Sequence, residues 1–376
     1  MRSILFVAPQ AKFFLSHRLA LALAAREAGY GVAVACPWSP ECDVLREHGI
    51  AHFDLPVARA SHNPLRDLNT ILTLNRVFSA VQPSLVHLIT AKATLYGGLL
   101  ARIRGVPTVA AITGLGFLFV GGGFAKRVAR FVLLALYRIG LNRRDSCVIF
   151  QNASDLSVFA KAGILRRAAW LSLPGAGVDL RKITAHPLPP GSPVVVLPAR
   201  MLRMKGVEDF RAAAAILEQR GVVAVMRLVG DPDTDNPTSL TRDELRAWDA
   251  EGTVEWQPHR DDIDAVLAEA HVVALPSHGG EGLPKTLVDA AAAGRAVVAT
   301  DVPGCRDAVL PGVTGLLCRP RDPVSLADAL QQLLTDPDRM RRMGEAARRE
   351  AERRFDIETV RGKHLEVYDR LSGGAA

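Results

Sequence analysis

The sequence predicts an α/β protein made of two doubly wound parallel-sheet domains, and three observations carry that prediction. The chain has 376 residues, 49% of them hydrophobic, which is enough to bury more than one core. Short β-like apolar runs alternate with helical stretches along its whole length, the pattern of parallel sheets with helices on both faces. The stretch Pro187-Leu188-Pro189-Pro190-Gly191-Ser192-Pro193 interrupts that alternation as a linker does.

In the first series, strands are expected near residues 4–8, 31–36, 51–55, 85–89, 108–112, 147–150 and 169–173. Helical patterns lie between most of them, and Gly29 and Gly163 close two of these as C′ glycines. A second series restarts at 194–197 and continues at 226–229, 253–256, 272–275, 296–300 and 315–318. After Asp336 the chain is helical and charged. The expected division is a first domain over 1–186, a second over 187–354, and a final helix over 355–376 that packs back on the first. Two such lobes leave a cleft, with ligands beyond the carboxyl ends of the strands.

Composition excludes several classes. The five cysteines are odd in number and show no Cys-x-x-Cys or Cys/His ligand spacing, so they read as small residues of a reducing compartment. The apolar run before Pro9 is too short for a signal peptide, and no uncharged apolar stretch is long enough to span a bilayer, so a cytosolic protein is expected. A net charge of +7 invites anionic partners, but no nucleic-acid signature accompanies it and only 6% of residues are aromatic. A nicotinamide dehydrogenase needs Gly-x-Gly-x-x-Gly after its first strand. Here that position reads Pro9-Gln10-Ala11-Lys12-Phe13-Phe14, and Gly114-Leu115-Gly116-Phe117-Leu118-Phe119 lacks the third glycine.

The most informative segment runs from Ser277 to Gly294, where Ser277-His278-Gly279-Gly280-Glu281-Gly282-Leu283-Pro284-Lys285 joins a strand to a helix, with Pro284 expected at the first helical position. Glycines beside a helix start make an anion cradle, because backbone N–H groups and the helix dipole converge there. Glu281 and Asp289 are suited to sugar hydroxyls, and a nucleotide sugar has both hydroxyls and phosphates. An acidic helix start that merely complements the dipole explains the loop equally well. Arg200 and Lys205 follow the strand at 194–197 and could meet a diphosphate in the same crevice; at 4 Å and an effective dielectric of 20 one such ion pair contributes about 4 kcal/mol. Asp233-Thr234-Asp235 has the spacing of a Mg²⁺ or Mn²⁺ site, but its neighbours Pro232, Asn236 and Pro237 favour a turn. His17 and Arg18 are expected to open the first helix and to reach an acceptor phosphate or cap that helix. The segment Phe124-Ala125-Lys126-Arg127-Val128-Ala129-Arg130-Phe131, continuing to Arg138, is either a membrane-interface helix or a core helix with a wet basic face.

With Glu281, Asp289, Arg200 and Lys205 laid out, the chain resembles the family 4 glycosyltransferases over nearly its whole length. These enzymes have the GT-B fold, two Rossmann-like domains facing a cleft. The resemblance implies that Glu281 contacts the transferred sugar, Asp289 the ribose, and Arg200 and Lys205 the diphosphate, with no metal and no cofactor beyond the nucleotide sugar. Gly280, Gly282, Leu283, Lys285, Thr286 and Gly230 would join the donor site, and His17, Arg18, Thr113 and Gly114 the acceptor side. Asp289 is one methylene shorter than the family's glutamate, and Thr113 stands where many relatives carry a histidine. A threonine cannot act as general base near neutral pH, which fits a retaining reaction in which the leaving phosphate takes the acceptor's proton.

Three segments, Phe13-Phe14-Leu15-Ser16-His17-Arg18, Thr113-Gly114-Leu115-Gly116 and Asp301-Val302-Pro303-Gly304-Cys305-Arg306, are similar to those of bacterial enzymes that build lipid-linked glycans. The reading that follows is a retaining transferase moving a hexose or N-acetylhexosamine from a UDP-sugar to a polyprenyl-diphosphate glycan. It would work peripherally on an anionic membrane surface, at the cytosolic face of the inner membrane. A nucleotide-sugar 2-epimerase of the same fold and a non-catalytic nucleotide-sugar binder are the alternatives.

Overall fold

The computed structural model describes residues 2–56, 64–115, 123–234 and 236–373. The chain forms two units, Met1–Ala176 with Glu358–Ala376, and Gly177–Ile357.

The first unit holds strands β1 (Ser3–Val7), β2 (Gly31–Cys36), β3 (Ala51–Asp54), β4 (Leu85–Ile89), β5 (Thr108–Ile112), β6 (Ser146–Phe150) and β7 (Ala169–Ser172). They form one seven-stranded sheet in the order β3-β2-β1-β4-β5-β6-β7, with parallel neighbours throughout. The central strands are buried on both faces, so their near-continuous apolar runs satisfy helices above and below. Chain direction across the sheet reverses between β1 and β4. The helix Ile357–Gly373 closes this unit, placing Val360, Val367, Tyr368 and Leu371 in the core with Ile4, Phe6 and Tyr30.

The second unit holds β8 (Val194–Pro198), β9 (Val225–Val229), β10 (Glu255–Gln257), β11 (Val272–Leu275), β12 (Ala296–Thr300) and β13 (Gly315–Cys318). Its six-stranded parallel sheet runs β10-β9-β8-β11-β12-β13, with the reversal between β8 and β11. Both sheets are thus doubly wound, as the alternation of strand and helix patterns predicts.

The boundary falls before the proline stretch rather than at it. Residues from Gly177 onward belong to the second unit because Val178 and Ile183 enter its core and Val178 N–H donates to Phe355 O at 2.8 Å. Buried Arg295 donates to Pro187 O at 2.9 Å, which fastens the start of the proline stretch to the same unit.

The helix Phe124–Leu141 packs through Gly140 against the helix Ala91–Arg104, where a Cβ on Gly140 would stand 3.0 Å from Gly98 C. That contact uses the face carrying Tyr137, Gly140 and Leu141. The opposite face leaves Phe124, Val128, Phe131, Val132 and Ile139 exposed, within an arc of about 100° at 100° per residue. No helix among the described residues is long and apolar enough to cross a membrane.

Candidate active site

The reversal between β8 and β11 decides which residues meet in the second unit. At such a switch point the loops leaving two adjacent strands turn to opposite sides and open a crevice at the carboxyl ends. Here those loops carry Ala199 to Gly206 and Pro276 to Pro284.

The two loops are joined by several contacts. Gly206 has φ +75°, and a Cβ there would overlap Pro276 O, so only glycine lets the first loop lie against the second. His278 N–H donates to Met204 O at 2.9 Å, and Ser277 Oγ lies 3.3 Å from the same carbonyl. His278 Nε2 lies 2.7 Å from Asp209 Oδ2 on the helix Val207–Gln219. Across this seam Lys205 Nζ sits 2.6 Å from Glu281 Oε1, with both side chains largely buried. Ser277 Oγ donates to the same carboxylate oxygen at 2.8 Å. Burial works against a charged Glu281, but Lys205, Ser277 and the nearby Arg200 outweigh it and hold the carboxyl below its ordinary value.

Glu281 therefore has partners distant in sequence. Its loop is also supported from below: Gly304, at φ +86°, lies so close that a Cβ would overlap Gly282 O and stand 2.9 Å from Glu281 O. Nothing in its local sequence marks that contact.

Asp289 and Lys285 occupy one face of the helix Lys285–Ala292, with Lys285 Nζ 2.6 Å from both carboxylate oxygens. Asp289 is buried, and burial raises its pKa despite the opposing pull of Lys285. Pro284 stands at the N-cap rather than at the expected first helical position, which Lys285 takes, because the Pro284 ψ of 121° is extended. Thr286 Oγ1 donates to Pro198 O at 2.9 Å, so this hydroxyl fastens the helix to the end of β8. Leu283 is buried in the core, Gly282 is buried and Gly280 is exposed at φ +80°. Gly230 follows β9, donates to Gln257 O at 3.0 Å and accepts from Trp256 Nε1 at 2.9 Å.

Arg200, half exposed, is ion-paired with Asp233. Asp233 is also held in a turn, where its N–H donates to Ser239 Oγ at 2.9 Å and its carbonyl accepts from Asn236 N–H at 2.8 Å. Asp235, the other half of the Asp-x-Asp, lies outside the described residues.

In the first unit His17 and Arg18 do not open the first helix. His17 ends the helix Ala11–His17, and Arg18 separates it from the helix Leu19–Glu27. The break turns Arg18 inward: it is 3% exposed, and Nη1 donates to Gly175 O at 3.4 Å. His17 stacks on Phe13 at 4.3 Å, with Nδ1 2.6 Å from Ser16 Oγ. Thr113 and Gly114 follow β5 and are partly exposed, while Gly116 and Phe117-Leu118-Phe119 lie outside the described residues. Sequence reasoning missed Thr90 after β4, which has φ +79° and ψ 166°, a backbone region that disfavours a β-branched residue by about 1–3 kcal/mol. Strain of that size is invisible in sequence because it arises from the fold around it.

Parallel doubly wound sheets in both units are the architecture of the GT-B fold, and two family profiles name the chain a glycosyltransferase. The profile of the glycosyl transferases group 1 matches residues 180–350, and that of the glycosyl transferase 4-like domain matches residues 3–152. The chain belongs to the family 4 glycosyltransferases.

It is 26% identical to the N,N'-diacetylbacillosaminyl-diphospho-undecaprenol alpha-1,3-N-acetylgalactosaminyltransferase of Campylobacter jejuni, across 95% of this chain and 98% of that protein. It is 28% identical to the alpha-maltose-1-phosphate synthase of Mycolicibacterium smegmatis, across 86% and 87% respectively. Sucrose-phosphate synthase of Thermosynechococcus elongatus superposes with a TM-score of 0.80 at 19% identity, covering 100% of both chains. Anabaena HepE in complex with UDP-glucose gives 0.76 at 20% identity, over 99% of this chain and 100% of that one. At these identities the two structures speak to the fold alone. Neither the 2-epimerase nor the non-catalytic binder is favoured by these likenesses.

Proposed function

We propose that the protein moves a hexose or N-acetylhexosamine from a UDP-sugar to a polyprenyl-diphosphate-linked glycan, with retention at the anomeric carbon. The observation that carries this reading is the Lys205–Glu281 pair at the switch point, with Arg200 nearby. A carboxylate kept charged beside an ammonium group suits a ligand that offers hydroxyls to one and phosphate to the other. In the reaction Glu281 orients the transferred sugar. Lys205 and Arg200 leave their resting carboxylate partners for the diphosphate, meeting charge as it grows on the leaving group. The leaving phosphate accepts the proton of the attacking hydroxyl, and Asp289 serves the ribose. His17, Thr113 and Gly114 are the proposed acceptor-side contacts of the first unit.

The lipid-linked acceptor is supported by the Campylobacter jejuni relative, whose name carries an undecaprenyl-diphosphate sugar, and by the helix Phe124–Leu141. Its exposed apolar stripe is left over after packing and is flanked by Arg127 and Arg138, both exposed. That is the arrangement of a helix lying in an anionic membrane interface. This observation favours the interface reading of the segment over the core reading.

The decisive experiment is a screen of radiolabelled nucleotide sugars against synthetic polyprenyl-diphosphate acceptors, with product anomeric configuration read by NMR. Transfer with retention is expected, and donor turnover without an acceptor, or an inverted product, would overturn the reading. Transfer is also expected to survive EDTA. Loss that Mg²⁺ or Mn²⁺ restores would assign Asp233 a metal.

A further inference from the structure

We propose that the first unit carries a binding site for a thiophilic divalent ion of the zinc class, formed by Cys36, Cys42 and His52. One ligand atom from each residue lies within 4.8 Å of the others. The cysteines show no ligand spacing along the sequence, and it is the sheet register that brings these three residues together. Val34 pairs with His52 and Cys36 with Asp54, so Cys36 at the end of β2 and His52 on β3 share one face of the sheet. The helix Cys42–Glu47 then brings Cys42 over that face. Three ligands are thus assembled by strand pairing rather than by a short motif.

The spacing fits the ion. Tetrahedral zinc, with Zn–S near 2.3 Å and Zn–N near 2.0–2.1 Å, separates a sulfur from a nitrogen ligand by about 3.6 Å. Cys42 Sγ and His52 Nε2 are 3.4 Å apart. With its proton on Nδ1, His52 turns the Nε2 lone pair to the sulfurs; the other tautomer donates to Cys36 O at 3.1 Å, and metal binding selects the first. Ser39 N–H donates to Cys42 Sγ at 3.4 Å, the kind of outer contact that steadies a metal-bound thiolate. Both cysteines are fully buried, and two thiolates with a neutral imidazole cancel the charge of a divalent ion. A water would complete four ligands.

The ion would hold the edge strand β3 to β2 and to the helix that follows β2. Since none of the three ligands is among the residues proposed to meet donor or acceptor, the role of the site is to stabilise the first unit.

The test uses the full chain, purified under reducing conditions and stripped of metal, then titrated with Co²⁺. One Co²⁺ per chain is expected, with thiolate-to-cobalt charge-transfer bands and tetrahedral d–d bands that Zn²⁺ displaces, together with a rise in Tm on adding Zn²⁺. Cys42→Ser and His52→Ala should lose these bands, while Cys147→Ala keeps them. If either ligand variant fails to fold, alkylation of the wild type decides: Zn²⁺ should protect Cys36 and Cys42 but not Cys147 under partial denaturation. Absent bands in the wild type, bands that persist in Cys42→Ser, or a Cys36–Cys42 disulfide that forms in place of metal binding would overturn the proposal.

Discussion

Replacing Lys205 by methionine keeps most of the unbranched side chain and removes the charge that faces Glu281. At 2.6 Å and an effective dielectric of 20, the gross attraction of the pair is about 6 kcal/mol. Desolvation offsets much of it, and both side chains keep some exposure, 20% and 16%, so the net stability loss should be about 2 kcal/mol. Glu281→Gln removes the other charge, and the double variant should recover about 1–3 kcal/mol relative to the sum of the two single losses. Because Glu281 is held below its ordinary carboxyl value, the pair's contribution is complete above that value, near 4.5, and fades as pH falls through the lowered one. In the methionine variant burial acts with far less opposition, so the acidic limb of the pH–rate profile should move upward.

Transfer itself should fall further than stability does. Removing one group that meets developing charge costs about 10²–10³ in kcat. The assays are urea denaturation of the four proteins in the cycle and initial rates with a labelled UDP-sugar at several pH values. A coupling energy indistinguishable from zero, with kcat and its pH profile unchanged, would refute the argument that this pair forms the core of the site.

Three further outcomes are expected. Gly304→Ala should cut transfer at least tenfold, because its Cβ would overlap Gly282 O beneath Glu281; Gly312→Ala, at φ +77° with open space around it, should cost only about 1 kcal/mol of stability, and equal transfer rates in the two variants would refute the link to the loop. Burial, helped by the charge of Arg18, lowers His364 to about 3, so the unfolded chain binds the extra proton between pH 6.5 and 3 and stability falls with acidification. At about pH 5 this one residue should account for about 2 kcal/mol, read as a narrowing of the difference between His364→Leu and wild type from pH 7 to pH 5, and a constant difference would refute it. Phe131→Ser, at a position 75% exposed, should weaken vesicle binding by about 2 kcal/mol, or roughly thirtyfold, whereas Arg127→Gln with Arg138→Gln should weaken binding to anionic vesicles alone; unchanged partitioning in both would return the helix to a merely solvated face.

The sequence by itself determined the central strands of both sheets, because each is a compact apolar run bounded by turn residues, and such runs fit buried parallel strands whatever surrounds them. It also located the Glu281 loop, since glycines between a strand and a helix constrain the backbone locally. It placed His17 and Arg18 at the start of the first helix, whereas His17 ends that helix and Arg18 follows it, because whether a helix is continuous or broken at Arg18 depends on the packing around it. Tertiary structure alone decided that Lys205 reaches Glu281, that Gly304 lies beneath it, and that Cys36, Cys42 and His52 converge. Each of these joins residues far apart in the chain, and strand order and register bring them together, properties that no local run of residues encodes.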